Sequence, residues 1–196
     1  MRPFGGRLPL CALLLTLCSG AALAAPAAPR PYSGCGVLTL KQGLAREPES
    51  LVLYQEPGVL RIAEKLPSSL PRLSGNSEEP VLAASERRGV WTRLSIDEAG
   101  RQGWLEQERN WEYASWRDLL PGRTVRLLPG LKKDWYALKS APGDGGTQAA
   151  LLSRDQEVRV QQVEGDWARL ETPSGWFRWR DPDGRLTVSL QLRHGS

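Results

Sequence analysis

Histidine and cysteine are nearly absent from this chain. Its 196 residues hold one histidine, His194, and three cysteines, Cys11, Cys18 and Cys35. Cys11 and Cys18 fall in a leader-like start, so one thiol remains and an internal disulfide is excluded. Cys35 lies in a proline-rich stretch and His194 near the C-terminus, so a Cys–His nucleophile with an orienting third group has no inventory. A four-ligand zinc set has none either. The GxSxG, HExxH and Walker patterns are missing. Carboxylates are the one chemistry left, as in a hydrolase with paired acids. The acidic pairs Glu78-Glu79 and Asp181/Asp183 lie in loop sequence, and "RDPDG" is a turn signal. No catalytic residue, metal or cofactor is expected. The formal net charge is only +4, which gives little reason to expect a nucleic-acid partner.

Long apolar runs are also lacking. The longest run of note goes from Leu8 to about Leu17, after Arg2 and Arg7, and is too short for a stable membrane span. It ends in small residues, with Ala22-Leu23-Ala24 fitting the A-x-A rule. Residues 1–24 therefore read as a secretory signal peptide, and the protein is expected to be periplasmic or secreted. Cleavage removes two arginines, lowers the net charge by two and leaves no membrane span. Lipidation at Cys18 is not favoured, because a large residue, Leu17, precedes it.

Tryptophan, by contrast, is plentiful: there are eight. Residues 25–47 read as a Pro/Ala-rich tether and lead-in. From Leu51 onward, short β-type runs alternate with Pro/Gly/Ser turns at intervals of roughly 8–12 residues, the texture of a small barrel or sandwich. Three landmarks occur twice in the same order. Leu53 precedes Pro57-Gly58 as Leu138 precedes Pro142-Gly143. GxWxRL occurs at Gly89 and at Gly165. GW plus an apolar residue occurs at Gly103-Trp104-Leu105 and at Gly175-Trp176-Phe177. Loop lengths differ between the copies, and loops tolerate that drift, so the chain reads as an internal duplication.

Strand alternation assigns faces. In "DWARLE" and "GWFRW", Leu170, Phe177 and Trp179 form the core set. Trp167 and Trp176 fall together on the opposite face beside Arg169 and Arg178. In the first copy Leu94 and Leu105 point inward, while Trp91 and Trp104 point outward with Arg93 near them. Gly103 and Gly175 suit unusual backbone angles or a close approach. The outer tryptophans have two readings: cross-strand pairs that hold each hairpin, or the floor of a ligand groove. Aromatic faces beside arginines suit sugars, peptides and carboxylates. In the second reading the groove takes in Trp135, Tyr136, Trp167, Arg169, Trp176 and Arg178, with Tyr54, Trp91 and Trp104 in the first copy. Trp111, Tyr113 and Trp116 of "NWEYASW" are expected to plug the junction between the copies.

The order "LKSAPG … VRVQQVEGDWARLETPSGWFRW" resembles the bacterial SH3-like domain, SH3b, whose signature is an R-S-x-P-like first strand, a β-pair, G-x-W-x-x-V and G-W-V. The resemblance covers about residues 133–190 well and 48–117 more loosely, where Tyr54-Gln55-Glu56 replaces the usual basic-Ser-Gly. It implies an all-β fold of two five-stranded SH3-like barrels in tandem: domain 1 over 48–117, a linker over 118–132 and domain 2 over 133–192. It also implies a non-catalytic envelope role, binding peptidoglycan or cell-wall peptides. A protein–protein adaptor is the alternative and a carboxylate hydrolase the third reading.

Overall fold

A computed structural model describes residues 30–41, 50–73 and 81–190. The leader over 1–24, Glu78-Glu79 and His194 lie outside the described residues. The fold is all-β apart from three single turns of helix. The first unit has strands β1 (Gly36–Leu40), β2 (Leu51–Tyr54), β3 (Arg61–Lys65), β4 (Val81–Arg88), β5 (Trp91–Ser95), β6 (Gln102–Glu106) and β7 (Trp111–Ser115). A one-turn helix, α1 (Trp116–Leu119), follows. The second unit has β8 (Thr124–Leu127), β9 (Ala137–Lys139), β10 (Gln148–Leu151), β11 (Glu157–Glu164), β12 (Trp167–Leu170), β13 (Gly175–Arg178) and β14 (Val188–Leu190).

The two sheets repeat each other strand for strand. Their orders are β3-β2-β6-β5-β4-β1-β7 and β10-β9-β13-β12-β11-β8-β14. The irregularities repeat as well. The β4–β5 register slips between Ala84 and Glu86, and the β11–β12 register slips at the equivalent place, between Val160 and Gln162. An extra residue there shifts the phase of alternation. That is why Val158, Val160 and Val163 are all buried in "VRVQQV" although the last spacing is three. Both hairpins turn on a left-handed glycine, Gly89 (φ 59) and Gly165 (φ 55), a conformation that costs glycine little.

Seven strands per sheet replace the five expected from sequence, and the sheets are open, with β3 and β7, and β10 and β14, at their ends. The additional pairing comes from stretches with weak local signals. β1 lies in the segment read as lead-in and β8 in the segment read as linker. Both are four- or five-residue strands whose partners lie far along the chain, so no short-range pattern announces them.

A Cβ on Gly103 would stand 3.4 Å from Leu53 Cβ, and one on Gly175 would stand 3.2 Å from Leu138 Cβ. Each duplicated leucine thus packs over the duplicated glycine of its own unit. The first core gathers Leu38, Leu51, Leu53, Leu82, Leu94, Leu105 and Trp111. The second gathers Leu138, Val158, Val160, Leu170, Phe177 and Trp179, and it continues without a break into Val37, Val81, Trp116 and Leu120 from the first unit.

Trp116 is the joint. It is 4% exposed, lies 5.2 Å from Trp179 between ring centroids, and donates its indole N–H to the Ser33 carbonyl at 2.8 Å. Ser115 caps α1 by accepting from the Asp118 N–H. Of the three aromatics expected at the junction, only Trp116 sits there. Trp111 is fully buried in the first core, and Tyr113 packs against that core, because alternation along β7 turns Trp111 inward.

Residues 30–34 form a strap across the second unit before β1 enters the first. Tyr32 bridges to Arg185, the Leu186 N–H donates to the Pro31 carbonyl, and the Ser33 N–H donates to the Gly184 carbonyl. Arg30 pairs with Asp181 at 2.6 Å. Among the described residues, the most N-terminal ones thus contact the C-terminal unit.

Candidate functional site

Strand pairing on the outer face of the second unit sets residues in two cross-strand rows. One runs Gln148, Lys139, Trp176, Arg169, Gln162 and the other Arg178, Trp167, Glu164. Trp167, Trp176, Arg169 and Arg178 thus share the face opposite Phe177 and Leu170. The tryptophans are not open platforms, however. Each is only 9% exposed.

Cations cover Trp167. The Arg178 guanidinium carbon stands 4.6 Å from its ring centroid and the Lys139 ammonium 5.3 Å. A groove of ≈ 440 Å³ opens beside them, lined by Trp167, Arg178, Lys139, Trp135, Asp134, Asp144 and Gln148 among others. Trp135 stands half-buried at its rim on a 3-10 turn, Lys133–Tyr136. Arg30 and Lys132 lie over the Trp135 ring at 5.0 and 5.1 Å.

The loop from Ser140 to Thr147 closes one side. Asp144 pairs with Arg178 at 2.7 Å, and Lys139 Nζ donates to the Asp144 carbonyl at 2.7 Å. The hydrogen bond and charge of Arg178 hold the Asp144 carboxyl below the usual carboxylate range. A general acid needs its carboxyl shifted the other way. Asp144 and Asp134 both line the groove, but Asp144 is a salt-bridge partner. No group of three or more His, Cys, Asp or Glu side chains is placed to hold a metal among the described residues.

The groove brings together three of the residues expected from sequence: Trp135, Trp167 and Arg178. Tyr136 is not on the rim. It is 6% exposed and its hydroxyl donates to the Leu128 carbonyl at 2.8 Å and accepts from the Leu131 N–H, pinning the connection between β8 and β9. Consecutive residues on a tight turn diverge, so Trp135 and Tyr136 cannot both face the groove. Arg169 and Trp176 share the outer face without lining the groove. Lys139, Asp144 and Gln148 line it without having been anticipated. Lys139 was legible: it follows the inward Leu138, so alternation turns it outward onto Trp176. Asp144 sits in a loop, where no periodicity operates.

The first unit carries the matching rows Arg61, Tyr54, Trp104, Arg93, Glu86 and Glu106, Trp91, Arg88. Its aromatics close on themselves. Tyr54 meets Trp91 edge-on at 5.3 Å, and Trp104 is 1% exposed under Arg88 and Arg93. The Trp104 indole N–H is buried without a partner. Arg88 pairs with Glu86 at 2.8 Å and Glu56 at 3.6 Å.

The solved structure of the CBD of endolysin LysPBC5 is similar at 9% identity and a TM-score of 0.26, over 80% of this chain and 96% of its own. No protein-family model matches the chain, and no curated protein does. What the fold and groove define is an all-β chain of two like sheets, one of which bears a cation-and-tryptophan groove.

Proposed function

We propose that this protein is a non-catalytic binding module of the cell envelope, with two tandem SH3-like units, and that its ligand is peptidoglycan or a cell-wall peptide. The observation that carries this is the groove in which Lys139 and Arg178 cover Trp167 with Trp135 at the rim. Aromatic faces flanked by cations suit polar, carboxylate-bearing chains. The duplicated GxWxRL and GW motifs and the signal-like leader support the same reading, with the protein working in the periplasm or outside the cell.

The test is co-sedimentation of the chain from Ala25 with purified peptidoglycan sacculi, beside a Trp135→Ala variant. Trp135 is half-buried on a turn, so its loss leaves the cores intact. Wild type should sediment with sacculi and the variant should not. A wild-type chain that stays in the supernatant removes the wall ligand.

A protein partner is the second reading. Strand β3 is a sheet edge, and Val59, Leu60, Ile62 and Leu66, on it and beside it, are 41–69% exposed. An exposed edge with apolar side chains is a template for an added strand.

A further inference from the structure

We propose that the groove of the second unit is a receptor for a ligand carboxylate, and that Asp144 fills the receptor in the free protein. This rests on the groove being the ligand site and names the chemical group it takes.

The two members of the Arg178–Asp144 pair are unlike. The Arg178 side chain is 10% exposed, and that of Asp144 is 84% exposed. The arginine is built into the sheet, in register with Trp167 and held over its ring. The aspartate reaches in from a loop, "SAPGDGGT", that is rich in glycine. A guanidinium has five N–H donors and no acceptor. Among the described residues, the hydrogen bond to Asp144 is the one that the Arg178 side chain makes. Arg178 itself lines the groove. A carboxylate arriving through the groove meets a preplaced cation, a second cation at Lys139 and a displaceable occupant of its own chemistry. Bidentate pairing with an arginine is the strong form of that contact.

The first unit shows what the second has gained. Across Trp91 stand Glu106 and Arg88; across Trp167 stand Arg178 and Glu164. The charges at these equivalent positions are exchanged. Arg88 is 56% exposed and answered by two carboxylates, Glu86 on its own strand and Glu56 in the turn between β2 and β3. At the position of Lys139 the first unit has Tyr54, which packs on Trp91. The duplicated fold thus carries one carboxylate receptor, in the second unit.

The experiment uses N-acetyl-Ala-Ala with a free C-terminal carboxylate, and the same peptide as its C-terminal amide. Each is titrated into the ¹⁵N-labelled chain from Ala25, following the Trp167 indole N–H and the Arg178 side-chain N–H by NMR. The acid should move both signals and the amide neither. Asp144→Ala should bind the acid about two- to fivefold more tightly, the range expected from removing an exposed ion-pair competitor. Arg178→Gln, folded by circular dichroism, should not bind it. Equal shifts with acid and amide, no shift with either, or no gain in Asp144→Ala would overturn the proposal. Sacculus binding that survives Arg178→Gln would retire the carboxylate receptor and leave wall binding standing. Acid binding by a chain that does not sediment with sacculi would do the reverse.

Discussion

Arg178 and Trp167 face each other directly across the β12–β13 pair, with the guanidinium carbon 4.6 Å from the indole centroid. The arginine shields the ring from water, and the ring holds the arginine at the groove. A cation over an indole contributes about 0.5–2 kcal/mol, more as it is desolvated. One contact therefore serves both the hairpin and the site.

Trp167 is consequently a poor residue on which to test binding alone. It is 9% exposed, and Trp167→Ala is expected to cost about 3 kcal/mol, in the range for truncating a buried aromatic. Urea denaturation of Trp167→Ala beside Trp135→Ala should show a large loss for the first and a small one for the second. Equal losses would mean that Trp135 also holds the fold.

The shared core predicts one unfolding event. Val37, Val81 and Trp116 from the first unit join the core of the second, and the strap crosses both. Calorimetry should give a single transition for the wild type. Trp116→Ala removes a buried ring and its bond to Ser33, and should lower Tm by about 10 °C. Two separate wild-type transitions would show that the units unfold independently.

Asp181 makes stability depend on acid. Burial acts to raise its pKa and is the largest single influence. The Arg185 N–H, the hydrogen bond and charge of Arg30, and the Asp183 N–H together outweigh it, so the carboxyl titrates below its usual value. A depressed carboxyl stabilises the fold above the unfolded-state value of about 3.9, and that stabilisation is lost as pH falls through the folded-state value. Asp181→Asn should cost about 1–3 kcal/mol at pH 7, and the gap to wild type should narrow as pH falls below the unfolded-state value and close below the folded-state value. A gap that stays constant from pH 7 to pH 2 would contradict this assignment.

Two left-handed glycines should respond differently to a methyl group. At Gly34 (φ +61) a Cβ would fall 2.1 Å from the Ala84 carbonyl oxygen, a backbone atom; at Gly165 (φ +55) it would meet nothing within 4 Å. Gly165→Ala should cost about 1 kcal/mol, the conformational penalty alone. Gly34→Ala adds overpacking against a strand and should cost about 3 kcal/mol. Chemical denaturation of the two variants side by side decides it, and equal costs would mean the strap can move away from β4.

The duplicated landmarks were legible because each rests on a local rule or on its recurrence. Gly165 precedes Trp167 because a tight hairpin needs a left-handed residue; Gly175 was legible only as a repeat of Gly103, and its close approach to Leu138 is a tertiary contact. Alternation placed Leu170 and Phe177 in the core and Trp167 and Arg178 on the other face. It set Trp176 and Arg169 on that face too, yet it could not say which residues the groove would gather. Tyr136 failed as a groove residue because a 3-10 turn does not alternate.

The sequence by itself determined the all-β character, the internal repeat and the division of each hairpin into two faces, since these depend on period-two alternation and turn chemistry within about a dozen residues. Only the tertiary structure decided that β1 and β8 complete seven-stranded sheets, that Trp116 joins the two units, and that Asp144 meets Arg178. Those contacts close loops of 31 to 83 residues, and no local pattern encodes them. They form because the buried tryptophans, the strap and the loop all have to satisfy their apolar surface and polar groups at once.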